Sequence, residues 1–165
     1  MIMLDDTDLR LLESLQDDAS LSNQDLAATA HVSPATALRR VRRLTDAGVI
    51  ERRIALLAGD ALGGGLQALV EVQLDRQGAE HLDAFEVLAV ADAAVQQCWR
   101  VSPGPDFVLV LWVADMAAYN TVVHRLFTQH ANVRNVKTFF ALKRAKFVPR
   151  IDVRALKPPS GSPGP

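Results

Sequence analysis

The sequence predicts an α+β protein: an N-terminal winged helix-turn-helix, then a ferredoxin-like βαββαβ domain. Three observations carry this. Two short helical patterns meet across a three-residue turn, and the second opens on Ser33-Pro34. A glycine run, Gly63-Gly64-Gly65, then divides the chain. Beyond it, apolar alternation and helical periodicity succeed one another as strand, helix, strand, strand, helix, strand.

Residues 4–18 read as a helix, with Leu4, Leu9, Leu11, Leu12 and Leu15 on one face and Asp5, Asp6 and Asp8 at the positive end of its dipole. Ser22 caps a second, short helix that ends near Ala30-His31, with Asp25 placed as a capping-box acid. Ser33 as cap and Pro34 at the first position start a third helix, because proline has no N–H to leave unpaired there. This helix runs to about Ala47 and stops at Gly48. Val49 to Leu56 reads as the strand of a wing.

In the second half, Leu66–Leu74 alternates as a strand, 78–91 is helical, and Val95–Val101 is a strand. The turn Ser102-Pro103-Gly104-Pro105-Asp106 leads into Phe107–Val113, an apolar run expected to be a buried central strand. Asp115 caps a helix to His130, and Val133–Phe147 is strand-rich. The expected boundaries are 1–58 for the helix-turn-helix, 59–65 for a linker and 66–150 for the ferredoxin-like domain. Residues 151–165 form a tail, disordered at least from 157 because Lys157–Pro165 is almost all proline, glycine and serine.

At 165 residues, 49% hydrophobic and 22% charged, the chain can bury a real core. No apolar run reaches the roughly 18 residues of a membrane helix. The first residues lack the features of a secretory signal. The single cysteine, Cys98, rules out an internal disulfide framework and reads as an inert buried thiol. These features point to the cytoplasm. The net charge of −1 argues against a generally basic nucleic-acid binder. Its distribution says more: Arg39 to Arg53 holds six arginines against two acids, whereas Met1 to Leu38 holds seven acids against one base.

At about 100° per residue, Leu38, Val41, Leu44 and Thr45 are expected to face the domain. Thr36, Arg39, Arg40 and Arg43 are expected to face outward, with Arg42 at the flank. An arginine fork matches phosphate or the O6/N7 edge of guanine. Ser33, Thr36 and Arg39, just past Pro34, are placed nearest the bases. Arg40, Arg43, Arg52 and Arg53 are placed mainly on phosphates. The bland reading is a solvated basic face. The combination of capped short helix, tight turn, Ser-Pro restart, arginine face and basic strand favours double-stranded DNA as partner.

The residues now on the page resemble the Lrp/AsnC (feast/famine) family of regulators. They are Leu4-Asp5-x-x-Asp8-x-x-Leu11-Leu12, Ser22-Asn23-x-x-Leu26-Ala27, Val32-Ser33-Pro34-Ala35-Thr36-x-Leu38-Arg39-Arg40-Val41-x-x-Leu44 and Gly48-Val49-Ile50. More diffusely, Ala117-Ala118-Tyr119, Val133-Arg134-Asn135-Val136 and Leu142-Lys143 join them. The resemblance implies a transcription regulator whose second domain is regulatory. Its sheet would pair subunits into a homodimer, and dimers would assemble further, for example into an octamer. It implies no cofactor, but a small effector, commonly an amino acid, at a subunit interface.

The family's effector loop follows the pattern Thr/Ser-Gly-acid-x-Asp-aromatic, so the resemblance singles out Ser102, Gly104, Asp106 and Asn135. The chain departs from it at Pro103, Gly104 and Pro105, losing two backbone donors to proline. Asp106 reads equally as a turn residue before a strand. His31 stands where the family often has glycine, and histidine tolerates positive φ better than most residues.

Other chemistries find little support. His31, His81, His124 and His130 do not stand in metal-ligand pairs. The triple glycine is not followed by the Lys-Ser/Thr of a phosphate loop. No nucleophile–base pair is legible, so no enzyme activity is expected. Two alternatives stay open: a sirohaem-decarboxylase-like enzyme of the same fold, using Arg100, His124 and Arg125, and a nucleoid-type architectural protein.

Overall fold

The computed structural model describes residues 2–155. The tail expected to be disordered from 157 lies outside them. The described residues divide into two compact units: 2–56 together with 147–155, and 57–146.

The first unit holds three helices, α1 (Asp6–Asp17), α2 (Asn23–Ala30) and α3 (Pro34–Asp46). Leu11, Leu26, Ala27, Ala30, Ala37 and Val41 form their common core. The expected caps are in place. The Ser22 hydroxyl accepts from the Asp25 N–H, and the Ser33 hydroxyl from the Thr36 N–H. Asp25 does not complete a capping box; its carboxylate accepts from the Ser22 hydroxyl instead. His31 takes the left-handed conformation (φ 56°, ψ 46°), as its turn role requires. Gly48 does so after α3 at φ 71°, where a Cβ is disfavoured, and the Val49 N–H returns to the Leu44 carbonyl.

The expected strand Val49–Leu56 does not form. Residues 51–58 carry no regular structure. A strand needs a ladder partner, and no described residue supplies one. Residues 147–155 belong with the helices. Gln16 exchanges two hydrogen bonds with the backbone of Ile151 (3.0 and 2.7 Å), Arg150 meets Asp17 at 2.6 Å, and Arg154 holds Glu13 through two bonds.

The second unit runs β1 (Leu66–Leu74), α4 (Ala79–Ala91), β2 (Val95–Arg100), β3 (Phe107–Val113), α5 (Met116–Val123) and β4 (Val133–Phe140). Residues 59–62, assigned to the linker by sequence, form a 3₁₀ turn within this unit, and His124–Thr128 extends α5 as a π-helical turn. The sheet order is β2-β3-β1-β4, antiparallel throughout, which is the ferredoxin-like arrangement.

β3 is not buried on both sides, as its apolar run suggested; its burial alternates. Phe107, Leu109, Leu111 and Val113 face the helices beside Val72, Val70, Ala68 and Leu66 of β1. The opposite sheet face is open and carries exposed Leu69, Trp99, Trp112 and Phe139. Gly65 lies so close beneath the Trp112 indole that a Cβ there would stand 2.4 Å from the ring. Among the described residues, no helix is long and apolar enough to cross a membrane.

Candidate nucleic-acid interface and effector loop

α1 begins at Asp5, whose carboxylate accepts from the Thr7 and Asp8 N–H groups; Asp8 in turn accepts from the Asp5 N–H. This reciprocal cap places two carboxylates at the positive end of one helix. The same pair grips α3. Asp8, only 1% exposed, accepts from Arg40 Nη1 at 2.9 Å and Arg43 Nη2 at 2.5 Å. Asp5 accepts from Arg40 Nη1 at 2.7 Å. The Asp8 N–H, with the Arg40 guanidinium second, lowers the Asp5 pKa to about 2. The two carboxylates raise that of Arg40 in return. From the sequence, Asp5 and Asp8 were legible as dipole partners and as part of the family pattern, not as counter-ions of α3. Their spacing was visible; their partners, more than 30 residues away, were not.

The clasp decides what α3 presents. Arg40 is drawn inward and half-buried, while Arg43 stays half-exposed. Leu38 was expected in the core, yet it is 58% exposed. Its place is taken by Ala37 at 0%, on the stripe Ala37–Val41–Leu44. The outward face therefore carries Ala35, Leu38, Arg39 and Arg42. Neither Arg39 nor Arg42 has a partner among the described residues. Ser33 and Thr36 are joined hydroxyl to hydroxyl at 2.9 Å in the cap next to Pro34. Asn23 donates to the Pro34 carbonyl at 2.8 Å and ties the start of α2 to that of α3. Beyond α3, Arg52 pairs with Glu51 at 2.6 Å and Arg53 is exposed.

In the second unit the loop 102–106 closes where the Val101 N–H meets the Asp106 carbonyl at 3.1 Å. The Asp106 carboxylate is engaged: it accepts from the Leu74 N–H at 2.7 Å and from Gln77 Nε2 at 3.3 Å. Ser102 and Gly104 are exposed at the tip. Asn135 pairs with Gln73 in the sheet, beside the same end of β1. The loop and Asn135 thus flank one corner, with Asp106 serving as its brace.

The residues considered for tetrapyrrole chemistry are otherwise occupied in part. Arg100 pairs with Asp83 at 2.7 Å and Glu86 at 2.8 Å, and Arg125 pairs with Asp92 at 2.6 Å. Cys98 is half-buried, and desolvation raises its thiol pKa, as suits an unreactive sulfur.

A capped three-helix unit with an outward basic helix, followed along the chain by a ferredoxin-like unit, has the form of a helix-turn-helix DNA-binding protein. Residues 4–51 match the winged helix-turn-helix DNA-binding family, and residues 67–151 match the Lrp/AsnC ligand binding domain. The chain belongs to the Lrp/AsnC family. It is 34% identical to the leucine-responsive regulatory protein of Rhizobium meliloti, over 92% of this chain and 97% of that protein. It is 36% identical to the Bkd operon transcriptional regulator of Pseudomonas aeruginosa, over 87% and 94%. Among solved structures, it is similar to a transcriptional regulator from Neisseria meningitidis in complex with L-Met. That match has a TM-score of 0.84 and 28% identity, over 93% of this chain and 99% of that one.

Proposed function

We propose that this chain regulates transcription in the cytoplasm as a homo-oligomer, inserting the outward face of α3 into the DNA major groove. The observation that carries the reading is the pair of unpartnered guanidiniums, Arg39 and Arg42, on a helix whose other arginines are clasped by Asp5 and Asp8. Ser33, Pro34 and Thr36 bring the start of α3 to the groove. Arg39 and Arg42 approach base edges and the nearest phosphates. Arg43, Arg52 and Arg53 serve the backbone, and Arg40 supports from behind through its carboxylates.

The open sheet face, with Leu69, Trp99, Trp112 and Phe139, is the surface by which two copies pair. Two-fold pairing would set two α3 helices one helical turn of DNA apart and select a pseudo-palindromic site. A small amino acid would act at the corner formed by Ser102, Gly104, Asp106 and Asn135. The L-Met bound to the Neisseria regulator supports that ligand class.

The test is binding to genomic DNA fragments at two salt concentrations, with and without an amino-acid panel. Ultracentrifugation would separate dimer from octamer. Specific, salt-sensitive binding is expected, with Arg39→Ala or Arg42→Ala flattening the salt slope by about one unit. Absence of binding at low salt would remove the proposal.

A further inference from the structure

We infer that Leu38 is a specificity-determining residue that reads the C5-methyl group of a thymine in each half-site. This rests on the DNA-binding reading above and names the chemistry recognised there. Leu38 is 58% exposed although α3 has a buried stripe available one position away. It lies in the first half of the helix, the part of a recognition helix that reaches base edges. Ala35, one turn earlier, extends the same small apolar strip. Arg39 follows Leu38 directly, Arg42 lies one turn on, and neither has a partner among the described residues.

An apolar side chain beside two cations is poorly placed for water and well placed for a groove. The cations hold the phosphates or guanine edges, and the methyl group that distinguishes thymine is the apolar feature the groove offers. Leu38 carries no hydrogen-bonding group, so methyl contact is the readout open to it. The clasp of Asp8 on Arg40 and Arg43 keeps α3 from rolling and so holds Leu38 outward. The half-site is therefore expected to contain a thymine beside a guanine or a phosphate bound by Arg39.

The experiment replaces thymine by uracil, one position at a time, in a site selected by the unaltered protein. Uracil keeps every hydrogen-bonding group and removes only the methyl. The protein should lose affinity roughly three- to fivefold at one or two positions per half-site, the amount expected for one buried methyl. Leu38→Ala should bind the thymine site more weakly by a similar factor and lose nothing further on uracil. Arg39→Ala should bind more weakly but keep its sensitivity to uracil. Because Leu38 is exposed, Leu38→Ala should melt as the parent does, which separates recognition from folding. Specific binding indifferent to every uracil, or a Leu38→Ala variant of full affinity, would overturn the assignment while leaving the DNA-binding reading intact. Failure to select any site would overturn both.

Discussion

Arg40 and Asp8 meet across the α1–α3 interface at 2.9 Å, and Asp8 is almost wholly removed from solvent. A carboxylate in that position is costly unless donors surround it, and here it has the Asp5 N–H, Arg40 and Arg43. Asp8→Asn keeps the shape and removes the charge, leaving Arg43 without its carboxylate and Arg40 with Asp5 alone. The variant should lose roughly 2–4 kcal/mol in urea denaturation. DNA affinity should fall with it, because α3 loses its lock. A variant of unchanged stability would show the clasp to be incidental.

Acid should test Asp5. Its folded pKa of about 2 lies below the ordinary 3.8, so its contribution is full above the ordinary value. That contribution is lost as pH falls from about 4 towards 2. Asp5→Asn retains a good helix cap but not the charge. Thermal melts should show Asp5→Asn below the parent at neutral pH. The two should converge between about pH 4 and pH 2. A gap that persists at pH 2 would contradict the assignment.

The effector corner makes a two-sided prediction. Asp106→Ala should cost about 1–3 kcal/mol, because the Leu74 N–H loses its partner. Pro103→Gly with Gly104→Glu should raise amino-acid affinity, by restoring a backbone donor and an acid at the tip, while costing roughly 1–3 kcal/mol because Gly104 sits at φ 126°, where a side chain is strained. Calorimetry across an amino-acid panel reads the second effect. No gain for any amino acid would mean that these positions do not limit binding.

The segment 147–155 should stabilise the helices more as a whole than through any one contact. Arg150→Ala and Arg154→Ala each break an exposed, solvent-screened pair and should move the unfolding midpoint little. Ending the chain after Lys146 removes both pairs and both Gln16 bonds. It should cost roughly 2–4 kcal/mol in denaturant unfolding of the first unit. Equal effects from one arginine and the whole segment would refute this.

Local chemistry explains what the sequence revealed. Ser33-Pro34, His31 and Gly48 act within a few residues of themselves, so the limits of α2 and α3 were legible. The succession of strands and helices along the second half followed from alternation and turn residues for the same reason. Leu38 was misplaced because α3 offers two neighbouring stripes, and Val41 belongs to both. Packing chose Ala37 for the core, where its small side chain leaves α2 and α3 free to approach closely. The wing strand failed because an extended, β-prone sequence says nothing about whether a ladder partner exists. At the candidate sites, the arginine cluster was plain. Which arginines it would present was not, since that depended on carboxylates in another helix. Asp106 was left open between brace and ligand group because its partner, Leu74, lies 32 positions away.

The return of residues 147–155 to α1 has a consequence for synthesis. Gln16 leaves the ribosome 135 residues before Ile151, its partner. At ordinary elongation rates the interval is about 7–27 s. During it the helix-turn-helix lacks part of its own support, even though all three of its helices have already emerged. Chains stalled at residue 146 should be cut by protease in α1–α3 more readily than chains that have exposed residue 155. The unit made first is thus among the last to be finished: its helices gain their final contacts only after the second unit has been translated.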